Sequence, residues 1–213
     1  MDGSKMLIDE FMPEFDVNLV VHEVVDATPE ETHRALESLD LLDDRIVRTL
    51  VTARDLPRRT LNRLRGSHEV VQQGPIRFRD LLGLEGDSAL GWVALGEECG
   101  TALLAGLVGE FWRRDYGIVK MRASEFVAYR EPGKVKTVAD LSLRAYGDRR
   151  TLLSYESRTV STDDQARTTF GRYWAVLRPF VHVLMRRTVL GIKREAEGLH
   201  GAAGSKPDGV RAA

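Results

Sequence analysis

From Ser161 to Glu197 the chain carries one unbroken helical period, so any fold it adopts must offer this segment an apolar surface to lie against. Stepping about 100° per residue, Phe170, Trp174, Leu177, Val181, Leu184 and Thr188 fall within an arc of roughly 80°. Tyr173 and Phe180 flank that arc, whereas Arg167, Arg178 and Arg186 lie well away from its centre. A start signal stands ahead of it. Thr162 reads as the N-cap, Asp163 and Asp164 fill the first turn, and Gln165, three residues after the cap, completes a capping box. Pro179 removes one backbone hydrogen bond and crowds the carbonyl of Ala175, so a kink is expected there. A helix this long with an aromatic stripe requires something concave and apolar opposite it.

The remainder of the chain supplies strands. Val17, Leu19, Val21 and Val25 alternate with Asp16, Asn18, His22 and Asp26, which predicts a first strand. Thr28-Pro29-Glu30-Glu31 then announces a helix: Thr28 caps it, Pro29 takes the first position, and Glu31 closes a capping box. Thr32, Ala35, Leu36 and Leu39 form its buried stripe. A second helical region is expected over Leu41–Leu64, broken at Pro57 and basic at its end. Ser67–Gly74 reads as a connection, and Pro75–Leu84 is ambiguous between strand and helical turn. Leu90–Gly96 and Thr101–Phe111 flank Glu97-Glu98-Cys99-Gly100, the pattern of a hairpin. The arm Ala102–Val108 is apolar on both sides, as in a strand covered on both faces. A short helix over Ser124–Tyr129 and two strands, Val135–Ala145 and Leu152–Val160, complete the series. In the first of these two strands, Val135, Thr137, Ala139, Leu141 and Leu143 face inward, against Lys136, Asp140 and Arg144. Segregated helices and antiparallel strands predict an α+β fold, a curved sheet wrapped around the long C-terminal helix.

Composition bounds the rest. With 213 residues, 43% hydrophobic and 30% charged, the chain suits one globular domain with a sizeable core. That domain is expected over 15–197, between a flexible lead-in over 1–14 and a Gly/Ala-rich, disordered tail over 198–213. A net charge of -1 provides no global attraction to nucleic acid. Cys99 is the single cysteine, which excludes an internal disulfide and suits a reducing compartment. No apolar run approaches the roughly 18 residues of a membrane span, and the acidic N-terminus lacks a signal pattern, so a cytoplasmic location is expected.

Taken together, six stretches resemble the SRPBCC superfamily of START-like, helix-grip proteins, in particular its small bacterial members. They are Val24–Thr32, Leu95–Glu98, Gly106–Trp112, Phe126 with Glu131-Pro132-Gly133, Ser154–Arg158, and Arg172-Tyr173-Trp174 with Arg178-Pro179-Phe180. The resemblance covers about residues 15–197 and implies a helix-grip fold with an apolar cavity between sheet and C-terminal helix. It also implies a ligand class of lipids, sterols or polyketides, with aromatase or cyclase activity in some members.

On the residues themselves, the aromatic helix face reads either as plain core or as one wall of a cavity. Phe111, Tyr155, Phe170, Tyr173, Trp174, Leu177 and Val181 are the candidate lining. Gly91, Gly96, Gly106 and Gly109 favour a bent sheet that opens such a space. Glu156 and Arg158 share a strand face; if Leu153 and Tyr155 point inward, the pair points outward towards Asp140 as a cross-strand ion network. In the opposite register both would enter the cavity. His22, His33, His68, His182 and His200 show no metal-ligand spacing, and the chain has no phosphate loop, nucleophile elbow or catalytic triad pattern, so no cofactor, metal or catalytic residue is assigned. The arginines of the long helix read as a solvated face that also permits transient contact with an anionic membrane. Nucleic acid is not expected, because the aromatics lie on the apolar face rather than among the arginines. The expected function is binding of a small hydrophobic molecule. An aromatase/cyclase-type enzyme and a packed-core partner-binding protein are the alternatives.

Overall fold

A computed structural model describes residues 6–40, 44, 45, 49, 91–98 and 100–204. Apart from residues 44, 45 and 49, the helical region expected over Leu41–Leu64, the connection Ser67–Gly74 and the stretch Pro75–Leu84 lie outside the described residues, as does Cys99. In chain order the described elements are α1 (Leu7–Phe11), β1 (Val17–Val25), α2 (Pro29–Ser38), β2 (Val93–Glu98), β3 (Ala102–Gly109), α3 (Ala123–Phe126), β4 (Val135–Ala145), β5 (Thr151–Ser161) and α4 (Asp164–Gly204).

The strands form one antiparallel sheet in the order β1-β5-β4-β3-β2. With the 41-residue α4 packed along one face, this is the helix-grip arrangement of an α+β fold. The β4–β5 hairpin turns at Gly147, whose φ of 72° is a conformation glycine adopts at little cost. Strand alternation separates two faces. Val25, Leu103, Ala105, Leu141, Leu143 and Leu153 point to the helix, where they meet Ala35 and Leu36 of α2 and Val189, Ile192 and Ala196 of α4. Leu104, Val108 and Val138 point the other way, into a second cluster with Ile8, Met12, Leu95 and Phe126. A bulge in β2 between Ala94 and Gly96 turns both Leu95 and Gly96 to this second face.

The second cluster explains why β3 is apolar on both sides: one face joins the core shared with α2 and α4, and α1 and the α3 region lie on the other. Residues 7–11, which show no clear period in the sequence, form a helix because Ile8 and Met12 have this second apolar surface to enter. At the other end α4 continues to Gly204, past the expected boundary at Glu197.

The caps show how local chemistry sets these boundaries. Thr28 caps α2: its hydroxyl accepts from Glu31 N at 3.3 Å, and Glu31 Oε2 accepts from Thr28 N at 2.9 Å. The hydrogen bond from Thr28 N holds the Glu31 carboxyl below its ordinary pKa. For α4 the expected cap is corrected from Thr162 to Asp163, whose Oδ1 accepts from Ala166 N at 2.6 Å. Thr162 is taken by the neighbouring chain instead, accepting from Lys134 N and donating to Lys134 O, both at 3.0 Å. Pro179 does not interrupt α4. Both Pro179 and Ala175 are on its exposed side, so the carbonyl freed by proline is open to water.

Candidate functional site

Helix α4 is anchored at two places and loosely covered between them. Ala166 and Phe170 are buried near its start, and Met185, Thr188, Val189, Ile192 and Ala196 are buried in its second half. From 171 to 184 no residue is buried, although this stretch carries Tyr173, Trp174, Leu177 and Val181. These four are half-buried on the side expected to face the sheet, whereas Val176 and Phe180 are 71% and 53% exposed.

Beneath α4 the sheet presents short side chains. Ala105, Ala139, Ser157 and Leu19 lie side by side across β3, β4, β5 and β1, so three of four neighbouring positions have little bulk. One step along, Thr137 and Thr159 are cross-strand partners whose hydroxyls are 2.8 Å apart. Although β4 and β5 are interior strands, Thr137, Ser157 and Tyr155 all retain accessible surface on this face. Small residues thus lie on the sheet below a helix stretch without buried side chains.

The structure brings three of the seven expected lining residues into one aromatic group. Phe170 stacks on Trp174 with ring centroids 5.8 Å apart and is tilted against Tyr173 at 6.3 Å. Tyr155 lies on the facing sheet surface between Val21 and Leu141, and packs against the main core. Burial pushes its hydroxyl pKa up to about 12, so it keeps its proton at neutral pH and serves as a hydrogen-bonding group rather than a base. Leu177 and Val181 are on the loosely covered stretch of α4. Phe111 sits just past the end of β3, with its ring 3.0 Å from where a Cβ on Gly109 would stand.

Glu156 and Arg158 take the outward register, away from α4, but that side is not solvent. Both are buried beneath α1. Arg158 Nε donates to Glu156 Oε1 at 2.7 Å, and its Nη1 donates to Asp9 Oδ1 at 2.6 Å and to Met12 O at 3.0 Å. Asn18 Nδ2 also donates to Glu156 Oε1, at 3.0 Å. Asp140 stands directly opposite Glu156; burial first, then the Glu156 charge, pushes its carboxyl up to about 7. Two carboxylates and a guanidinium thus share one buried layer, held by the N-terminal segment.

A cleft of about 370 Å³ opens on this outer side, between residues 10–14 and 127–130, with Lys136, Val160, Ser161 and Thr162 completing the wall. It lies across the sheet from the aromatic group, and none of the seven expected lining residues borders it. Strand alternation placed Lys136 on this outward face without revealing its burial. That burial depends on the distant segment 6–14, whose sequence shows no clear period, so no local signal marked it. Among the described residues no group of three His, Cys, Asp or Glu side chains could hold a metal ion, and no helix is long and apolar enough to cross a membrane.

No protein-family profile and no curated protein matches the sequence. Among solved structures, the chain is similar to TTHA0849 from Thermus thermophilus at 12% identity, over 89% of this chain and 100% of that one, with a TM-score of 0.29. It is also similar to CalU16 from Micromonospora echinospora at 16% identity, over 88% of each chain, with a TM-score of 0.28. Superpositions this loose carry no argument about the site, and the architecture rests on strand order and helix placement.

Proposed function

We propose that the protein binds a small, predominantly apolar molecule, such as a lipid or polyketide-like metabolite, between the sheet and the 171–184 stretch of α4. One observation carries the reading: Thr137, Ser157 and Tyr155, on interior strands and facing the helix, remain accessible because nothing on α4 from 171 to 184 is buried against them. An apolar ligand here gains about 25 cal/mol per Å² of apolar surface removed from water. Thr137, Thr159, Ser157 and Tyr155 provide hydroxyls that orient a polar end. The SRPBCC resemblance of the sequence supports the same ligand class.

This site orients and encloses more readily than it catalyses. Tyr155 holds its proton, and the carboxyl with the most raised pKa, Asp140, is on the opposite face of the sheet. Binding without turnover is therefore favoured over a cyclase. The test is titration with Nile red, a neutral apolar dye, for the native chain and for Trp174→Ala and Ser157→Leu. Trp174→Ala removes the stacked wall and Ser157→Leu fills the space; each should weaken binding by about tenfold or more. Unchanged affinity in both variants would overturn the assignment. Native mass spectrometry, with extraction into organic solvent, then identifies any retained compound.

A further inference from the structure

The outer cleft contains a feature the apolar site does not use: a buried cation without a counter-ion among the described residues. Lys136 projects from the interior strand β4 towards the α1 side and is 5% exposed. Its Nζ donates to Val127 O at 3.2 Å and stands 4.9 Å from the centre of the Phe126 ring. No carboxylate among the described residues pairs with it, although Arg158 has Glu156 and Asp9, and Lys134 has Glu110. A buried ammonium without an anion is costly, and of its three donors the Val127 carbonyl takes one. Burial first, then Arg130, pushes its pKa down to about 8, so at neutral pH it still carries its charge.

We propose that this cleft is a second binding site, for a monocarboxylate on a short apolar chain, with Lys136 as the anion anchor. Lys136 and its carbonyl partner Val127 both belong to the wall. Phe11, Met12, Pro13 and Val160 supply apolar surface, and a volume of about 370 Å³ fits a small ligand. Two features set the charge of that ligand. The guanidinium of Arg130, also on the wall, is exposed, so water screens its charge, whereas the ammonium of Lys136 is the buried cation. Glu10 and Glu14 stand exposed on the opposite lip, where water screens them against one negative charge but where a dianion would meet added repulsion.

The experiment compares sodium octanoate with 1-octanol on the full chain, by calorimetry and by amide chemical shifts. The native protein should bind octanoate at least about tenfold more tightly than octanol, as a charge-assisted contact to a desolvated ammonium requires. The shifts should centre on residues 127–130 and 136. Lys136→Met keeps the side-chain length, removes a buried unpaired charge and should erase the preference while leaving the fold intact; Lys136→Gln repeats the comparison with a polar group. Trp174→Ala should leave the octanoate-induced shifts at 127–130 and 136, and the preference for octanoate over octanol there, unchanged. Octanoate no tighter than octanol in the native chain, a preference that survives both Lys136 variants, or shifts centred on Tyr155 and Trp174 would each overturn the proposal.

Discussion

Asp140 shows what one residue's surroundings do to stability. Its Oδ1 is buried without a hydrogen-bond partner, Glu156 faces it across the strand pair, and Ser142, Arg158 and Arg144 offset only part of the cost. With the carboxyl pushed from 3.8 to about 7, the folded chain holds a proton there that the unfolded chain has released. Between about pH 4 and 7 the native state therefore binds more protons, and the Asp140 contribution to stability falls as pH rises through that window. Asp140→Asn should flatten this slope and raise stability at pH 8. At about 1.4 kcal/mol per tenfold change in proton affinity, the gain has an upper bound near 4 kcal/mol. Urea unfolding of both proteins at pH 5 and 8 checks it: an unchanged difference between the two pH values would show that Asp140 is ionised in the fold. Strand alternation placed Glu156 and Arg158 on one face from sequence alone and left open whether Asp140 shares it, which the β4–β5 register decides. Alternation carries no information about what covers that face, so their burial was not legible.

At the scale of elements, the most readable parts were those whose signals are local. β1 and β4 lie where alternation places them and α2 begins at the Thr28–Glu31 box, because these signals depend on neighbouring residues only. The aromatic stripe of α4 was equally legible, but its cap was not: Thr162 and Asp163 both suit the position, and the contact of Thr162 with Lys134 decides between them. Gly106 illustrates a constraint between elements. A Cβ there would stand 2.6 Å from Phe126 Cε2 and 2.9 Å from Leu95 Cδ1, and Phe126 is fully buried and cannot swing aside. Gly106→Ala should thus cost about 1–3 kcal/mol by overpacking. Denaturant midpoints would measure it, and Phe126→Leu in the same chain should recover part of the loss if the clash is the cause.

For the whole molecule, the sheet is a partition with different chemistry on its two sides. The α4 side is apolar with hydroxyls, and the α1 side mixes apolar residues with buried charge. Deleting residues 1–13 should lower the melting temperature, because Leu104, Val108 and Val138 lose Ile8 and Met12 and Arg158 loses Asp9. The shortened chain should lose octanoate binding, whose wall it no longer has, and keep Nile red binding on the other face. Loss of both would mean that the two sides are not separable, which thermal melts and the two titrations decide together. The amino-acid sequence by itself determined the α+β class, the strand and helix segments with strong periods, and which residues share a face, since each follows from the spacing of side chains along the backbone. Only the tertiary structure decided that the outward face is covered, that Lys136, Asp140, Glu156 and Arg158 are desolvated there, and that α4 packs tightly at its ends and loosely between them. Desolvation is a property of what comes to lie above a side chain, and for Glu156 and Arg158 that partner, α1, lies more than a hundred residues away in sequence.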